Sequence, residues 1–151
     1  MAYRVSSTNG HITAAEFSRL PDDEGYTQEL VRGRVVREPL PRPEHGVIDV
    51  RLAARLHAFV EGAELGVVLS NAGFVIAENP DTVRGPDLAF VAAARVPGYS
   101  GEYWRLGPDL VVEILSPSNS ASAMQGKVLD YLEAGTRLVW VVDPRRRAVT
   151  L

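Results

Sequence analysis

Two acidic residues and a single lysine are the residues of this chain whose types and spacing could do chemistry. Asp87 lies in the segment Gly-Pro-Asp-Leu-Ala-Phe-Val at 85–91, and Glu113 lies inside the apolar run 109–115. Lys127 follows Glu113 by fourteen residues and is the only lysine beside fifteen arginines. Unlike arginine, lysine is a compact point charge whose pKa moves on burial. Composition alone favours a leftover surface lysine, whereas the two acids favour a functional one.

The chemistry that these acids suggest is divalent-metal binding. Side chains alternate between the two faces of a strand, so Asp87 and Glu113 can converge on one face if their strands are neighbours. Burying two like charges together is costly unless a cation or a proton lies between them. Two carboxylates and a few waters are the oxygen ligands that Mg²⁺ or Mn²⁺ prefers. Either acid alone is more often a strand-end residue or an ion-pair partner.

Composition and length limit the classes of protein to consider. The 151 residues predict one domain, 1–151, and the absence of cysteine excludes disulfides and thiolate metal sites. The net charge of −3 is weak support for broad nucleic-acid affinity, because such affinity normally needs a basic surface. Residues 1–10 contain no apolar signal segment, and no stretch approaches a membrane span, so a cytoplasmic protein is expected.

The elements that must position these residues can be read from periodicity and turn signals. Thr13 and Glu16 form a capping-box pattern that opens a short helix. Apolar spacing predicts a longer helix over about 44–61, and a further helix should run from a cap at Ser118 or Asn119 to Ala134. The predicted strands are a hairpin over 29–36 turning at Arg32-Gly33, then 67–69, 74–77, 87–91, 109–115, 138–142 and a last strand from Ala148. This pattern predicts an α/β (α+β) domain with a central mixed β-sheet flanked by helices, preceded by an N-terminal helix and β-hairpin.

Six segments of the sequence together resemble a known nuclease family. They are 28–35 (Gln-Glu-Leu-Val-Arg-Gly-Arg-Val), 43–45 (Pro-Glu-His), 84–91 (Arg-Gly-Pro-Asp-Leu-Ala-Phe-Val), 108–118 around Glu113, and 127–135 with the Trp-Val-Val-Asp-Pro of 140–144. This combination is similar to the PD-(D/E)XK nuclease superfamily and, within it, to the Uma2 endonuclease family. The resemblance implies a restriction-endonuclease-like core and hydrolysis of DNA phosphodiester bonds with Mg²⁺ or Mn²⁺.

The resemblance also implies roles for single residues. Asp87 is the aspartate of the "PD" element and Glu113 is the acid of "(D/E)XK", and both are expected to bind the metal. Lys127 takes the part of the family lysine from the following helix, and Glu29 corresponds to an additional catalytic acid. The non-functional alternative is that Glu29 is an exposed strand acid paired with an arginine of the hairpin. The chain departs from the family pattern at Ala123, where an Asp usually precedes the lysine, and relatives commonly continue beyond residue 151.

The expected partners are DNA and a second copy of the chain. Candidate nucleic-acid contacts are Arg34, His45, Arg51 and Arg55, although a histidine near a helix start is more often a capping or surface residue. A homodimer is expected because so small a domain needs a second copy to engage both strands of a duplex.

Two other classes of function stay open at this point. One is a catalytically silent nucleic-acid- or protein-binding module on the same fold. The other is an assembly domain in which Asp87, Glu113 and Lys127 form only a buried ion-pair cluster. A structural lysine should destabilise the fold when it is removed, whereas a catalytic lysine should tolerate removal.

Overall fold

The computed structural model describes residues 10–151 and contains two β-sheets and three α-helices. The expectation that residues 1–10 contain no signal segment falls mainly on residues 1–9, which lie outside the described residues. The helices are α1 (Ala14–Phe17), α2 (Pro43–Gly62) and α3 (Ala121–Glu133). The strands are β1 (Tyr26–Val31), β2 (Arg34–Pro39), β3 (Gly66–Ser70), β4 (Phe74–Ala77), β5 (Thr82–Arg84), β6 (Leu88–Ala92), β7 (Leu110–Ile114), β8 (Leu138–Asp143) and β9 (Ala148–Thr150).

The central sheet is mixed, as predicted, and it has five strands. Its strand order is β3-β6-β7-β8-β9, and only the β7–β8 pair is parallel. A parallel pair requires a crossover connection, and α3 supplies it. Helices therefore cover both faces of this sheet: the apolar residues of α2 pack against Leu88, Val112 and Ile114, and α3 packs through Tyr131 against Val111.

A second, four-stranded antiparallel sheet with the order β2-β1-β5-β4 stands beside the central one. The predicted hairpin forms its outer half and turns at Arg32 and Gly33, which both have the positive φ that such two-residue turns need. The sequence does not predict strand β5, because its three residues, Thr82–Arg84, are too few to show a period. Its burial is complete, and it joins the hairpin to β4.

Local capping signals are confirmed at α1 and corrected at α3. Thr13 and Glu16 form the expected reciprocal capping box. The cap of α3 is Ser120, whose hydroxyl accepts from the backbone N–H of Ala123, and not Ser118 or Asn119. Asn119 instead caps the preceding turn by accepting from the backbone N–H of Ser116. The polar run 116–120 offers several equivalent caps, so the sequence alone could not choose among them.

The helices test the expectation that the sequence contains no membrane-spanning stretch. Of the helices within residues 10–151, none is both long enough and apolar enough to span a bilayer. This agrees with the absence of a spanning stretch in the sequence.

Candidate active site

Asp87 and Glu113 face each other across neighbouring strands. Strands β6 and β7 are antiparallel with Leu88 opposite Val112 and Ala89 opposite Val111, so the register continues to place Asp87 opposite Glu113. Asp87 immediately precedes β6 and is not inside it, which shifts the predicted strand by one residue. The predicted convergence of the two acids is thus a consequence of strand pairing.

The carboxylate of Asp87 is held by the next strand and by α2. Its Oδ2 atom accepts a hydrogen bond from the backbone N–H of Ile114 at 2.7 Å and lies 3.2 Å from Nε2 of His45. The side chain of His45 is only 11% exposed and contacts Asp87, so it is not the surface residue that the sequence favours. The other oxygen of Asp87, Oδ1, has neither of these partners.

The carboxyl group of Glu113 is buried against α3. Its Oε1 accepts a hydrogen bond of 2.7 Å from the hydroxyl of Tyr131, and its Oε2 lies 3.8 Å from Nζ of Lys127. Burial raises the pKa of Glu113 to about 8, and the nearby charges of Asp87 and Glu29 add to this rise, which Lys127 and the Tyr131 hydrogen bond oppose. Tyr131 is fully buried, and its hydroxyl orients Glu113.

Lys127 is a buried cation surrounded by carboxylates. Its Nζ atom lies 3.3 Å from Glu38 and 3.4 Å from Glu29, in addition to Glu113, and the residue is 5% exposed. Burial by itself lowers the pKa of Lys127, but Glu113, Glu29 and Glu38 outweigh it and raise the pKa above its usual value. The ammonium is therefore charged at neutral pH. Removing so buried an ion-pair partner costs stability whatever its role, so stability alone cannot separate a catalytic from a structural lysine.

Glu29 is buried and paired, and is not the exposed strand acid of the alternative interpretation. It is 6% exposed, and its Oε2 accepts a hydrogen bond of 2.7 Å from Arg84, which is not a hairpin arginine. Its Oε1 accepts from the backbone N–H of Gly85 at 3.0 Å. Glu29 thereby reaches from the second sheet to the segment that leads into Asp87.

A further acid, Asp49, lies one helical turn after His45 on α2. Its Oδ1 atom is buried without a hydrogen-bond partner among the described residues. Burial raises the pKa of Asp49, the charge of Asp87 raises it further, and His45 lowers it. The neighbourhood of Asp87 is thus more acidic than the sequence indicates.

Six of the side chains at this candidate site line one cavity. It has a volume of about 480 Å³, and its walls include Glu29, Glu38, His45, Asp87, Glu113 and Lys127. The other candidate DNA contacts, Arg34, Arg51 and Arg55, are not part of its wall. Arg55 lines an apolar groove between α2 and β8, so contact of these three arginines with DNA stays a prediction.

Comparison with known families agrees with this constellation. The family model of Uma2, described as "Putative restriction endonuclease", matches residues 14–151. This chain belongs to the Uma2 family.

A solved crystal structure has a fold similar to that of this Uma2 chain. The crystal structure of a "putative nuclease belonging to DUF820" from Anabaena variabilis has a TM-score of 0.79 and 25% sequence identity. The match covers 91% of this chain and 77% of that one. A comparison with curated proteins finds no match. The mixed α/β architecture is therefore that of a nuclease fold.

The donor set of this Uma2 site fits a hard divalent cation with few protein ligands. Within residues 10–151, no group of three His, Asp or Glu side chains is arranged to hold a metal by itself. Mg²⁺ commonly binds through one or two carboxylates and keeps several waters. Asp87 and Glu113 supply two carboxylates at one cavity, and their mutual repulsion is the kind that a cation relieves.

Three residues that contact the candidate site residues or α3 have no distinguishing signal in the sequence. Arg84 stands three residues before Asp87, inside a motif that drew attention only to the aspartate. Glu38 lies next to Pro39 at the end of β2. Asp130 lies in α3, where a charged residue is usually expected to face solvent. None of them has a local signal, because each acquires its role only through contacts with other elements.

Proposed function

We propose that this Uma2 domain hydrolyses phosphodiester bonds of DNA with the help of Mg²⁺ or Mn²⁺. The observation that supports the proposal best is the placement of Asp87 opposite Glu113, with the ammonium of Lys127 at 3.8 Å from Glu113, in the wall of one cavity. The family and the nuclease fold of the neighbouring structure support nuclease activity in general. The metal, the DNA substrate and the residue roles go beyond them.

In this proposal, the contacts of each site residue suggest its role in the reaction. Asp87 and Glu113 would hold the ion, since Oδ1 of Asp87 and Oε2 of Glu113 are free of the hydrogen bonds that fix their other oxygens. When bound, the ion polarises the phosphate and lowers the pKa of a coordinated water. Lys127 is charged, so it offsets negative charge that develops on the phosphate and orients the water, but it does not act as a base in this state. Glu29 holds Lys127 in place.

The test is cleavage of single-stranded, duplex and branched DNA with Mn²⁺ or Mg²⁺. We expect Glu113→Gln to lower the cleavage rate by at least about 100-fold, because it removes a metal ligand and its charge. Glu133→Gln makes the same chemical change at an exposed position of α3 and should leave the rate within twofold of wild type. Equal rates for wild type and Glu113→Gln would contradict the assignment.

The same proteins separate the nuclease from a silent binding module or an ion-pair cluster. Mn²⁺ should raise the melting temperature of wild type and of Glu133→Gln but not of Asp87→Ala, because a ligand that binds only the folded state stabilises it. A silent module would bind DNA without cleaving it and gain little from Mn²⁺. An equal shift in wild type and Asp87→Ala would place the metal elsewhere.

A further inference from the structure

Arg84 connects three elements of the site without lining the cavity. It ends β5, is 7% exposed, and donates three hydrogen bonds through its guanidinium group. Nη1 donates to Oε2 of Glu29 on β1 at 2.7 Å, while Nε and Nη2 donate to Oδ2 of Asp130 on α3 at 3.0 and 2.6 Å. A planar fork of this kind can hold two carboxylates at a fixed angle, which a single ammonium cannot do.

Both partners of Arg84 also determine where Lys127 lies. The Oε2 atom of Glu29 that accepts from Arg84 is the same atom that lies 3.4 Å from Nζ of Lys127. Asp130 follows Lys127 by three residues on α3, so the two side chains lie on the same face of the helix. Arg84 therefore fixes the ammonium through Glu29 and the helix that carries it through Asp130.

The charges around Glu29 predict which way the ammonium of Lys127 should move when Arg84 is removed. Arg84 and Lys127 share one carboxylate oxygen, and Arg84 opposes the charged form of Lys127 while the three glutamates favour it. Without Arg84, Glu29 would have Lys127 as its remaining cation among these contacts. The ammonium should then move towards Glu29, now 3.4 Å away, and away from Glu113, now 3.8 Å away.

We propose that Arg84 is a positioning residue: by clamping Glu29 and Asp130, it holds the ammonium of Lys127 between Glu29 and Glu113 at the cavity wall. Its importance for catalysis rests on the proposed nuclease function. The placement of Lys127 itself does not, so the two can be tested separately.

The placement is tested through Lys127 alone. Because the chain has one lysine, labelling with ¹³C-lysine gives one side-chain Cε signal. In Arg84→Gln we expect this signal to shift and the rate of reductive methylation of Lys127 to rise by about tenfold, because the fork that fixes its surroundings is lost. Arg95→Gln is the matched control, since Arg95 forms a more exposed pair with Asp109 and also binds the carbonyl of Gly107. An unchanged signal and rate in folded Arg84→Gln would overturn the proposal.

Activity gives the second readout. We expect Arg84→Gln to lower kcat at least about tenfold with KM within twofold, because a misplaced group affects the reacting centre more than substrate binding. The rise in melting temperature with Mn²⁺ should persist, since Asp87 and Glu113 are unchanged. A merely structural Arg84 would lower stability but leave the kcat of the folded protein unaltered, and that result would refute the positioning role.

A milder variant covers the case in which Arg84→Gln does not fold. Asp130→Asn weakens only the helix half of the clamp, at a side chain that is 19% exposed. It should shift the Lys127 signal in the same way and by a smaller amount, and an unshifted signal would again overturn the proposal. If wild type proves unable to cleave DNA, the nuclease function fails while the lysine signal still decides the role of Arg84.

Discussion

Opposing effects of its surroundings act on the pKa of Glu113. Burial favours its neutral form, and Asp87 and Glu29 act in the same direction. The ammonium of Lys127 and the hydroxyl of Tyr131 favour its charged form without overcoming burial. The metal-free surroundings therefore favour the neutral form of this carboxyl group, whereas the cation of the proposed function would favour its charged form.

This balance predicts a dependence of stability on pH in the metal-free protein. The folded-state pKa of Glu113, about 8, is above its usual value of 4.5, so its contribution is complete below pH 4.5 and is lost as the pH rises to about 8. Relative to Glu113→Gln, the unfolding free energy of wild type should fall by on the order of 2–5 kcal/mol between pH 5 and pH 8.5. Urea denaturation in EDTA at several pH values measures this difference. A constant difference across the range would show that Glu113 titrates normally.

At the scale of the elements, two glycines differ in whether their position has room for a side chain. One opens a strand and the other lies inside a helix. Gly66 opens β3 with a φ of +154°, and a Cβ there would lie 2.1 Å from the backbone oxygen of Val91 on the paired strand. Gly126 lies inside α3, directly before Lys127, and a Cβ there would meet nothing within 4 Å. The first glycine is required by close approach of two backbones, whereas the second only weakens its helix.

Alanine substitution should separate these two cases. We expect Gly66→Ala to lower the unfolding free energy by about 2–4 kcal/mol, because backbone atoms must move. Gly126→Ala should raise it by about 0.5–1 kcal/mol through better helix propensity. Urea denaturation curves of both variants, with wild type as reference, measure the effects. A stabilised Gly66→Ala or a strongly destabilised Gly126→Ala would contradict the described packing.

At the scale of the whole molecule, charge opposes binding of DNA unless cations intervene. The chain has a net charge of −3, and the cavity wall carries the acids Asp22, Asp23, Glu29, Glu38, Asp87 and Glu113 with Lys127 as its lysine. Phosphate is repelled from such a cavity in the absence of divalent ions. Metal binding would therefore serve substrate binding as well as chemistry.

DNA affinity without metal should consequently rise when a cavity acid is neutralised. In EDTA at fixed low salt, Asp87→Asn is expected to bind duplex DNA about threefold or more tightly than wild type, because it removes one negative charge next to the phosphate. Glu133→Gln lies outside the cavity wall and should change affinity less. Fluorescence anisotropy with a labelled duplex gives both values. Weaker binding by Asp87→Asn would indicate that DNA does not enter this cavity.

The sequence by itself determined the local features of the fold and the central residues of the site. The capping box at Thr13, the hairpin turn at Arg32-Gly33 and the alternating faces of β7 follow from patterns that span a few residues, and all are confirmed. The same alternation, together with the family resemblance, singled out Asp87 and Glu113, while the presence of a single lysine and the resemblance singled out Lys127. Their catalytic roles stay a prediction.

Only the tertiary structure decided how these residues are held. Lys127 meets Glu38 across 89 residues of chain, and Arg84 meets Glu29 across 55. Such contacts leave no trace in local periodicity, because periodicity reports which face of one element is buried and not which element covers it. The buried clamp at Arg84 and the second sheet that carries it arise from strand pairing and helix docking, and these depend on the fold as a whole.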